Sequence, residues 1–189
     1  MLYNLTIEPH TQFFKRRKTL EALLPDDTTR LAMLQAAIDK LTRAGLHRYE
    51  ISAFAKAGYH SRHNCGYWIA RPFLGFGPSA FSHWEGKRFQ NACSLHHWAE
   101  ALEMNNSPVD FEEKLPPHTA FNELLAIRLR LLAGVNLNEF QEKHGAMPKE
   151  TEQAIQKLVQ QQWLLLDGHQ LSLSEQGRLF YDSMAAEII

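Results

Sequence analysis

The chain is 189 residues long, with 44% hydrophobic and 22% charged residues and a formal net charge of -1. That size holds one large domain or two small ones, and the composition is that of a soluble globular protein, which leaves out disordered and fibrous classes. A near-neutral total supplies no general attraction to DNA, RNA or anionic lipid, so a polyanion partner is not expected.

Cys65 and Cys93 are too few for a disulfide framework and are spaced unlike a zinc or CxxC site, which fits a reducing cytoplasm. No apolar run is long enough to be a transmembrane segment, and the N-terminus has no basic stretch with an apolar region after it. Leu2 to Glu8 is a β-rich run closed by Pro9, which has no N–H for a ladder. It predicts a buried strand with Glu8 at its carboxyl end, as though the chain began inside a fold. Thr11 to Pro25 gathers Phe13, Phe14, Lys15, Arg16, Arg17 and Lys18, and reads as a solvated loop without function.

Asp26 and Asp27 precede Leu31, Leu34, Ile38 and Leu41, a spacing that puts the four aliphatics on one helical face, with Gly45 placed to end the helix. Leu46 to Ser52 then reads as a second strand. Strand, helix and strand in that order require a right-handed parallel crossover, so a βαβ unit is expected. Ligands in parallel sheets lie beyond the carboxyl ends of the strands, which puts Glu8, Ser52 and the loop after it on the binding edge.

Phe54 to Ser82 reads as one long loop in which Gly58, Gly66, Gly75 and Gly77 punctuate aromatic residues. A helix is predicted over Leu95 to Asn105, and Pro116-Pro117-His118 marks a boundary. Beyond it, Phe121, Leu124, Leu125, Ile127, Leu131 and Leu132 build a helix, and Asn136 with Glu139 forms a capping-box-like start to the next. Pro148 opens a third helix carrying Ile155, Leu158 and Val159. Trp163 to Leu166 and Gln170 to Leu173 flank Asp167-Gly168-His169 as a hairpin, and Ser174 caps one closing helix with Leu179, Phe180 and Met184. Together these spell a winged-helix-like module. Its third helix sets Lys149 and Lys157 against Glu150 and Glu152, so it lacks the positive charge of a helix that reads DNA.

The chemistry concentrates in His63-Asn64-Cys65-Gly66-Tyr67-Trp68 and Leu74-Gly75-Phe76-Gly77-Pro78-Ser79-Ala80. His63 could ligate a metal or haem iron or carry a proton, against the plainer reading of a hydrogen-bonded loop histidine. His60 invites a zinc reading, but no recognised ligand set completes it. Tyr67 and Trp68 could stack on a flat ligand, although aromatic pairs of this kind more often plug a core. Gly75-Phe76-Gly77 matches neither phosphate-binding fingerprint, and tight packing explains it nearly as well.

Four stretches in one order carry a family resemblance: Leu2-Tyr3-Asn4-Leu5-Thr6-Ile7-Glu8-Pro9, Tyr49-Glu50-Ile51-Ser52-Ala53-Phe54-Ala55, Arg62-His63-Asn64-Cys65-Gly66-Tyr67-Trp68 and Leu74-Gly75-Phe76-Gly77-Pro78-Ser79-Ala80. They resemble the C-terminal half of radical SAM proteins related to oxygen-independent coproporphyrinogen III oxidase. The HNxxYW motif of the HemW-like, haem-chaperone branch is matched at His63, Asn64, Tyr67 and Trp68.

The resemblance implies an α/β fold: the C-terminal strands and helices of a partial radical SAM (β/α)6 barrel, then a mostly helical winged-helix-like domain. The corresponding segments are 1–94, the end of the barrel with the HNxxYW loop; 95–116, a connecting helix and linker; and 117–189, the HemN-type C-terminal domain. It implies haem as ligand, with His63 on the iron and Asn64, Tyr67 and Trp68 beside it. It also implies that Glu8, Gly75, Gly77, Pro78, Ser79 and Ala80 lie toward the S-adenosyl-L-methionine end of the barrel. In the family a CxxxCxxC motif binds a 4Fe–4S cluster whose open iron takes S-adenosyl-L-methionine. This sequence has no CxxxCxxC, and two cysteines cannot supply three thiolates, so reductive cleavage of S-adenosyl-L-methionine by the chain as given is not expected and no catalytic residue is assigned.

The expected function is haem binding and delivery to an accepting client protein. One alternative is a fragment of an oxygen-independent coproporphyrinogen III oxidase of porphyrin biosynthesis; another is a nucleic-acid-binding winged-helix module. An incomplete barrel would expose sheet edge and apolar face, so the chain is expected either to associate, a homo-oligomer being one such form, or to be marginal alone.

Overall fold

The computed structural model describes residues 1–3 and 5–189, which form two compact units, residues 1–61 and 62–189. In the first unit Thr11 caps a short helix α1 (Gln12–Lys15), accepting from the Phe14 N–H, and α2 (Arg17–Glu21) follows at once. The basic segment is therefore helical, not the loop its charge suggested. The amphipathic helix α3 (Asp27–Arg43) forms as read, with the Asp26 carboxylate accepting from the Thr29 N–H at 2.7 Å and Gly45 at φ +77° just past its end. Hydrogen bonding from the Thr29 side chain, with that from its N–H, holds the Asp26 carboxyl below its ordinary pKa. Leu34, Ile38 and Leu41 are half-buried, while Leu31 stays exposed.

The parallel βαβ unit does not form among the described residues. The described residues of the leading run make no strand: Tyr3 and Leu5 are exposed, and Leu2 donates its N–H to the Ser52 carbonyl at 2.7 Å. Asn4, inside that run, lies outside the described residues. Strand β1 (His47–Arg48) pairs antiparallel with β2 (Phe54–Ala55), His47 opposite Ala55. The turn between them closes itself. Tyr49 N–H reaches the Ala53 carbonyl at 3.1 Å, Ala53 N–H the Glu50 carbonyl at 3.3 Å, and the Arg48 guanidinium binds the Ile51 carbonyl. Closing so short a loop costs less chain entropy than bridging back across a helix. Glu50 is buried and accepts from Ser52 Oγ at 3.2 Å. Without a parallel sheet, the carboxyl-edge argument for Glu8 and Ser52 loses its footing.

The second unit opens with helix α4 (Arg62–Trp68), so the stretch read as one long loop is largely structured. It continues into an antiparallel sheet of β3 (Phe81–Trp84), β4 (Lys87–Asn91) and β5 (Val109–Glu113), in the order β3-β4-β5. Glu85 and Gly86, both at positive φ, make the tight β3–β4 turn. Helix α5 (Leu95–Glu103), capped by Ser94, lies between β4 and β5.

The remaining chain follows the sequence closely. Helices α6 (Pro117–Arg128), α7 (Leu137–His144) and α8 (Lys149–Gln160) come first, and Asn136 caps α7 by accepting from the Asn138 and Glu139 N–H groups. The hairpin β7 (Leu164–Asp167) and β8 (Gln170–Leu173) gains a third strand, β6 (Val135–Asn136), in the order β6-β8-β7. The single closing helix is split into α9 (Glu175–Leu179) and α10 (Tyr181–Ile188), because Phe180 leaves helical geometry at φ -108°, ψ 27°. Its ring instead stacks on Trp163 at 5.5 Å. Phe121, Leu125, Leu129, Leu158, Leu164, Leu171, Leu173 and Met184 form the core, with the Phe140 ring edge-on to Phe121. Among the described residues, no helix is long and apolar enough to cross a membrane.

His144, in the last turn of α7, is a pH-sensitive joint of this core. A helix C-terminus favours a charged imidazole. Burial against the Phe140 ring, 4.6 Å away, and the positive Lys143 and Arg128 nevertheless hold its pKa below the ordinary value. The unfolded chain therefore binds the proton more readily than the folded one. Stability contributed by neutral His144 is expected to be full above the ordinary histidine pKa and to decline as pH falls through that value toward the lower folded one. Urea midpoints across this range should fall less steeply for His144→Gln.

Candidate functional site

The site is built on α4, where positions three and four apart share a face. His63 and Tyr67 meet edge-on, ring centroids 4.9 Å apart at 83°. Tyr67 then meets Phe73 edge-on at 4.8 Å and 86°, and Phe73 continues to His83 at 6.5 Å. Backbone bonds Phe73 N–H to His83 O (2.8 Å) and His83 N–H to Phe73 O (2.9 Å) tie this ring chain to β3. The His63 side chain is exposed, Asn64 and Trp68 are half-buried, and Tyr67 is 38% exposed. All four residues of the motif thus stand on one short helix.

The end of α4 is wound tightly. The Ala70 N–H bonds to Tyr67 O (3.0 Å) and the Arg71 N–H to Gly66 O (2.8 Å), with Ala70 in the left-handed region at φ 52°. This turn lays the Arg71 guanidinium over Gly66: a Cβ placed on Gly66 would sit 2.7 Å from Arg71 Nη2 and 2.8 Å from Cζ. Arg130, of the segment after α6, stacks over the Trp68 ring at 4.3 Å and over Tyr181 at 5.0 Å. Trp68 buries its indole N–H without a hydrogen-bond partner. A cavity of about 220 Å³ opens between the end of α4, strands β3 and β4, and α6. Tyr67, Trp68, Arg71, Phe73, Leu124 and Ile127 are among its walls. Arg88, also on the wall, is committed to Glu113 at 2.5 Å and Glu123 at 2.6 Å.

The 75–80 segment spends polar groups on neighbouring strand and loop residues. Gly75 N–H donates to Ser82 Oγ (3.0 Å), Ser79 N–H to the Ala92 carbonyl (3.1 Å), and Asn91 Nδ2 to the Gly77 carbonyl (2.9 Å). Gly77 and Ser79 both take positive φ, and a Cβ on Gly75 would collide with the Phe81 carbonyl. Pro78 is half-buried and Ala80 N–H bonds back to Gly77 O at 3.4 Å. Glu8 belongs to the first unit; its side chain is exposed and its carbonyl accepts from Thr11 Oγ1 at 2.7 Å. Sequence reasoning passed over Arg71, whose signal was a glycine inside an aromatic helical turn with an arginine five residues on.

The class comes first from the tail: a family model described as the HemN C-terminal domain matches residues 115–180. A solved structure described as coproporphyrinogen III oxidase (HemN) from Escherichia coli, a radical SAM enzyme, superposes with a TM-score of 0.71. That match runs over 87% of this chain and 42% of that one at 15% sequence identity, a likeness of fold. Among curated proteins the chain is similar to heme chaperone HemW of Bacillus subtilis, 31% identical over 144 residues, which is 76% of this chain and 38% of that protein. It is likewise similar to heme chaperone HemW of Haemophilus influenzae, 30% identical over 188 residues, 96% of this chain and 46% of that protein. The chain spans less than half the length of these relatives. Its likeness is thus to the C-terminal part of HemW-like proteins, the resemblance that the four motifs carry.

Proposed function

We propose that this chain is the haem-carrying part of a HemW-like protein, with haem as cargo that is passed to a client protein in the cytoplasm. The observation that carries this is His63: an exposed imidazole on α4, packed perpendicular to the ring of Tyr67, which itself lines an apolar cavity. An imidazole is the right donor for haem iron, and aromatic edges suit a flat macrocycle. The partnerless indole N–H of Trp68 adds a polar group of the kind that marks sites made for a ligand. The relatives' name supports the same cargo. At about 220 Å³ the cavity is smaller than the roughly 300–1,000 Å³ that encloses a ligand, so haem would lie across α4 with one edge inserted.

The donor set does not fit a radical SAM cluster in this chain. Cys65 lies within α4 and Cys93 precedes α5, two thiols where three are needed. The end-of-barrel reading of residues 1–94, with 95–116 as linker, and the winged-helix reading of 117–189 belong to the same proposal. So does the S-adenosyl-L-methionine end at Glu8 and 75–80, with whatever cluster the longer relatives carry. Lys157 of α8 is paired with Glu187 at 2.5 Å, which supports the tail as a packing module and not a reader of nucleic acid.

Haem titration should produce a shifted Soret band with the wild-type chain. His63→Ala should lose that shift and weaken binding at least tenfold, whereas His60→Ala should retain both. A His63→Ala protein with the wild-type spectrum and affinity would remove His63 from the iron.

A further inference from the structure

The cavity beside α4 has an apolar interior and a cation at its edge. Phe73, Leu124 and Ile127 provide the interior, and Arg71, exposed to solvent, provides the cation. The second arginine of the wall, Arg88, is bridged to Glu113 and Glu123. Arg71 has no carboxylate partner among the described residues. Its position is not left to chance, because the guanidinium rests on Gly66 where any side chain would displace it. Gly66 is three residues after His63, so the two share a face of α4, about 4.5 Å apart along the axis.

An exposed arginine is normally a solvated one. Here a glycine inside a helix, which weakens that helix by about 1 kcal/mol relative to alanine, makes room for the guanidinium. Guanidinium recognises carboxylate by two parallel hydrogen bonds, and an apolar wall beside it favours a ligand that joins an acid to a greasy plate. We infer that Arg71, seated on Gly66, is the carboxylate anchor of this site, selecting flat apolar ligands that carry an acid at one edge. The inference rests on the proposed porphyrin cargo, and assigns its acidic side chains to Arg71 while the iron belongs to His63.

Metal-free protoporphyrin IX separates the two roles, since it has the carboxylates and no iron, and its dimethyl ester has neither. Fluorescence titration of the wild-type chain should show the free acid binding about tenfold tighter than the ester, the scale of one charge-assisted contact. Arg71→Gln should abolish the preference by weakening the acid alone, and Arg71→Lys should recover part of it. Gly66→Ala, whose new methyl meets only the end of the Arg71 side chain, should reduce the preference with far-UV circular dichroism unchanged. His63→Ala should keep it. An unchanged preference in Arg71→Gln, or none in the wild type, overturns the inference. A preserved preference with no His63-dependent Soret shift overturns the iron assignment and leaves the anchor standing.

Discussion

Truncating Leu158 to alanine is expected to lower the unfolding free energy by about 3 kcal/mol, within the roughly 2–5 kcal/mol seen when a buried leucine is emptied. Leu158 is fully buried on the face of α8 that packs against α10 and β7. Its carbonyl also accepts from the Trp163 N–H at 2.9 Å, which fixes where the chain leaves the helix for the hairpin. Helix packing around a backbone so constrained cannot collapse far into the space, so the cavity cost is retained along with the lost burial. Urea unfolding followed by circular dichroism should show a lower midpoint with an unaltered slope. Leu165→Ala on the neighbouring strand, where the side chain is 53% exposed, should shift the midpoint little.

Gly177→Ala is the second large effect, and it acts through crowding. Gly177 packs against the backbone of Trp163: an added Cβ would overlap the carbonyl oxygen and come within 2.9 Å of the carbonyl carbon. No flexible side-chain end is available to give way. The same carbonyl accepts the Ser174 N–H at 3.0 Å, and Ser174 Oγ both caps α9 through the Gly177 N–H and donates to the Gln162 carbonyl. Overpacking here is expected to cost about 1–3 kcal/mol. Because α9 must move, the Trp163–Phe180 stack should open, and near-ultraviolet circular dichroism should lose intensity under native conditions. A Gly177→Ala protein with wild-type stability and spectrum would show that α9 can back away without penalty.

The tail was readable because its signals are local. Asn136, Pro148 and Ser174 begin helices by chemistry contained within a turn, and Asp167-Gly168 closes a hairpin between apolar runs. The first unit misled because a β-rich run was taken to want a parallel partner, whereas Tyr49 to Ala53 could close a smaller loop. The sheet of β3, β4 and β5 was missed for another reason. Its strands carry Lys87, Arg88, Glu112 and Glu113, which look like loop residues one at a time. Across the sheet they form pairs, Lys87 with Glu112 at 2.7 Å and Arg88 with Glu113.

Within the site, His63, Asn64, Tyr67 and Trp68 were visible as a motif, but their helix was not. Gly66 argued for a loop, since a glycine in mid-helix has a cost and no obvious use. Its use is Arg71, and that contact depends on Ala70 adopting a left-handed backbone, which alanine rarely does. A fold that is bent by one residue to serve another leaves no periodic trace.

The short connections within the three sheets bear on how this chain acquires its structure as it is made. Strands β1 and β2 are five residues apart, β3 and β4 are joined through Glu85-Gly86, and β7 and β8 through Gly168-His169. Hairpins of this size form on a timescale of about 1–10 μs, against roughly 5–20 residues added per second during synthesis. Each of these hairpins therefore has time to form soon after its second strand emerges. Strand β6 alone must wait for a partner some way downstream, since β8 begins only at Gln170. The slowest pairing of the three sheets therefore falls on β6 and β8, and it closes the sheet against the helices α7 and α8 that lie between them in sequence.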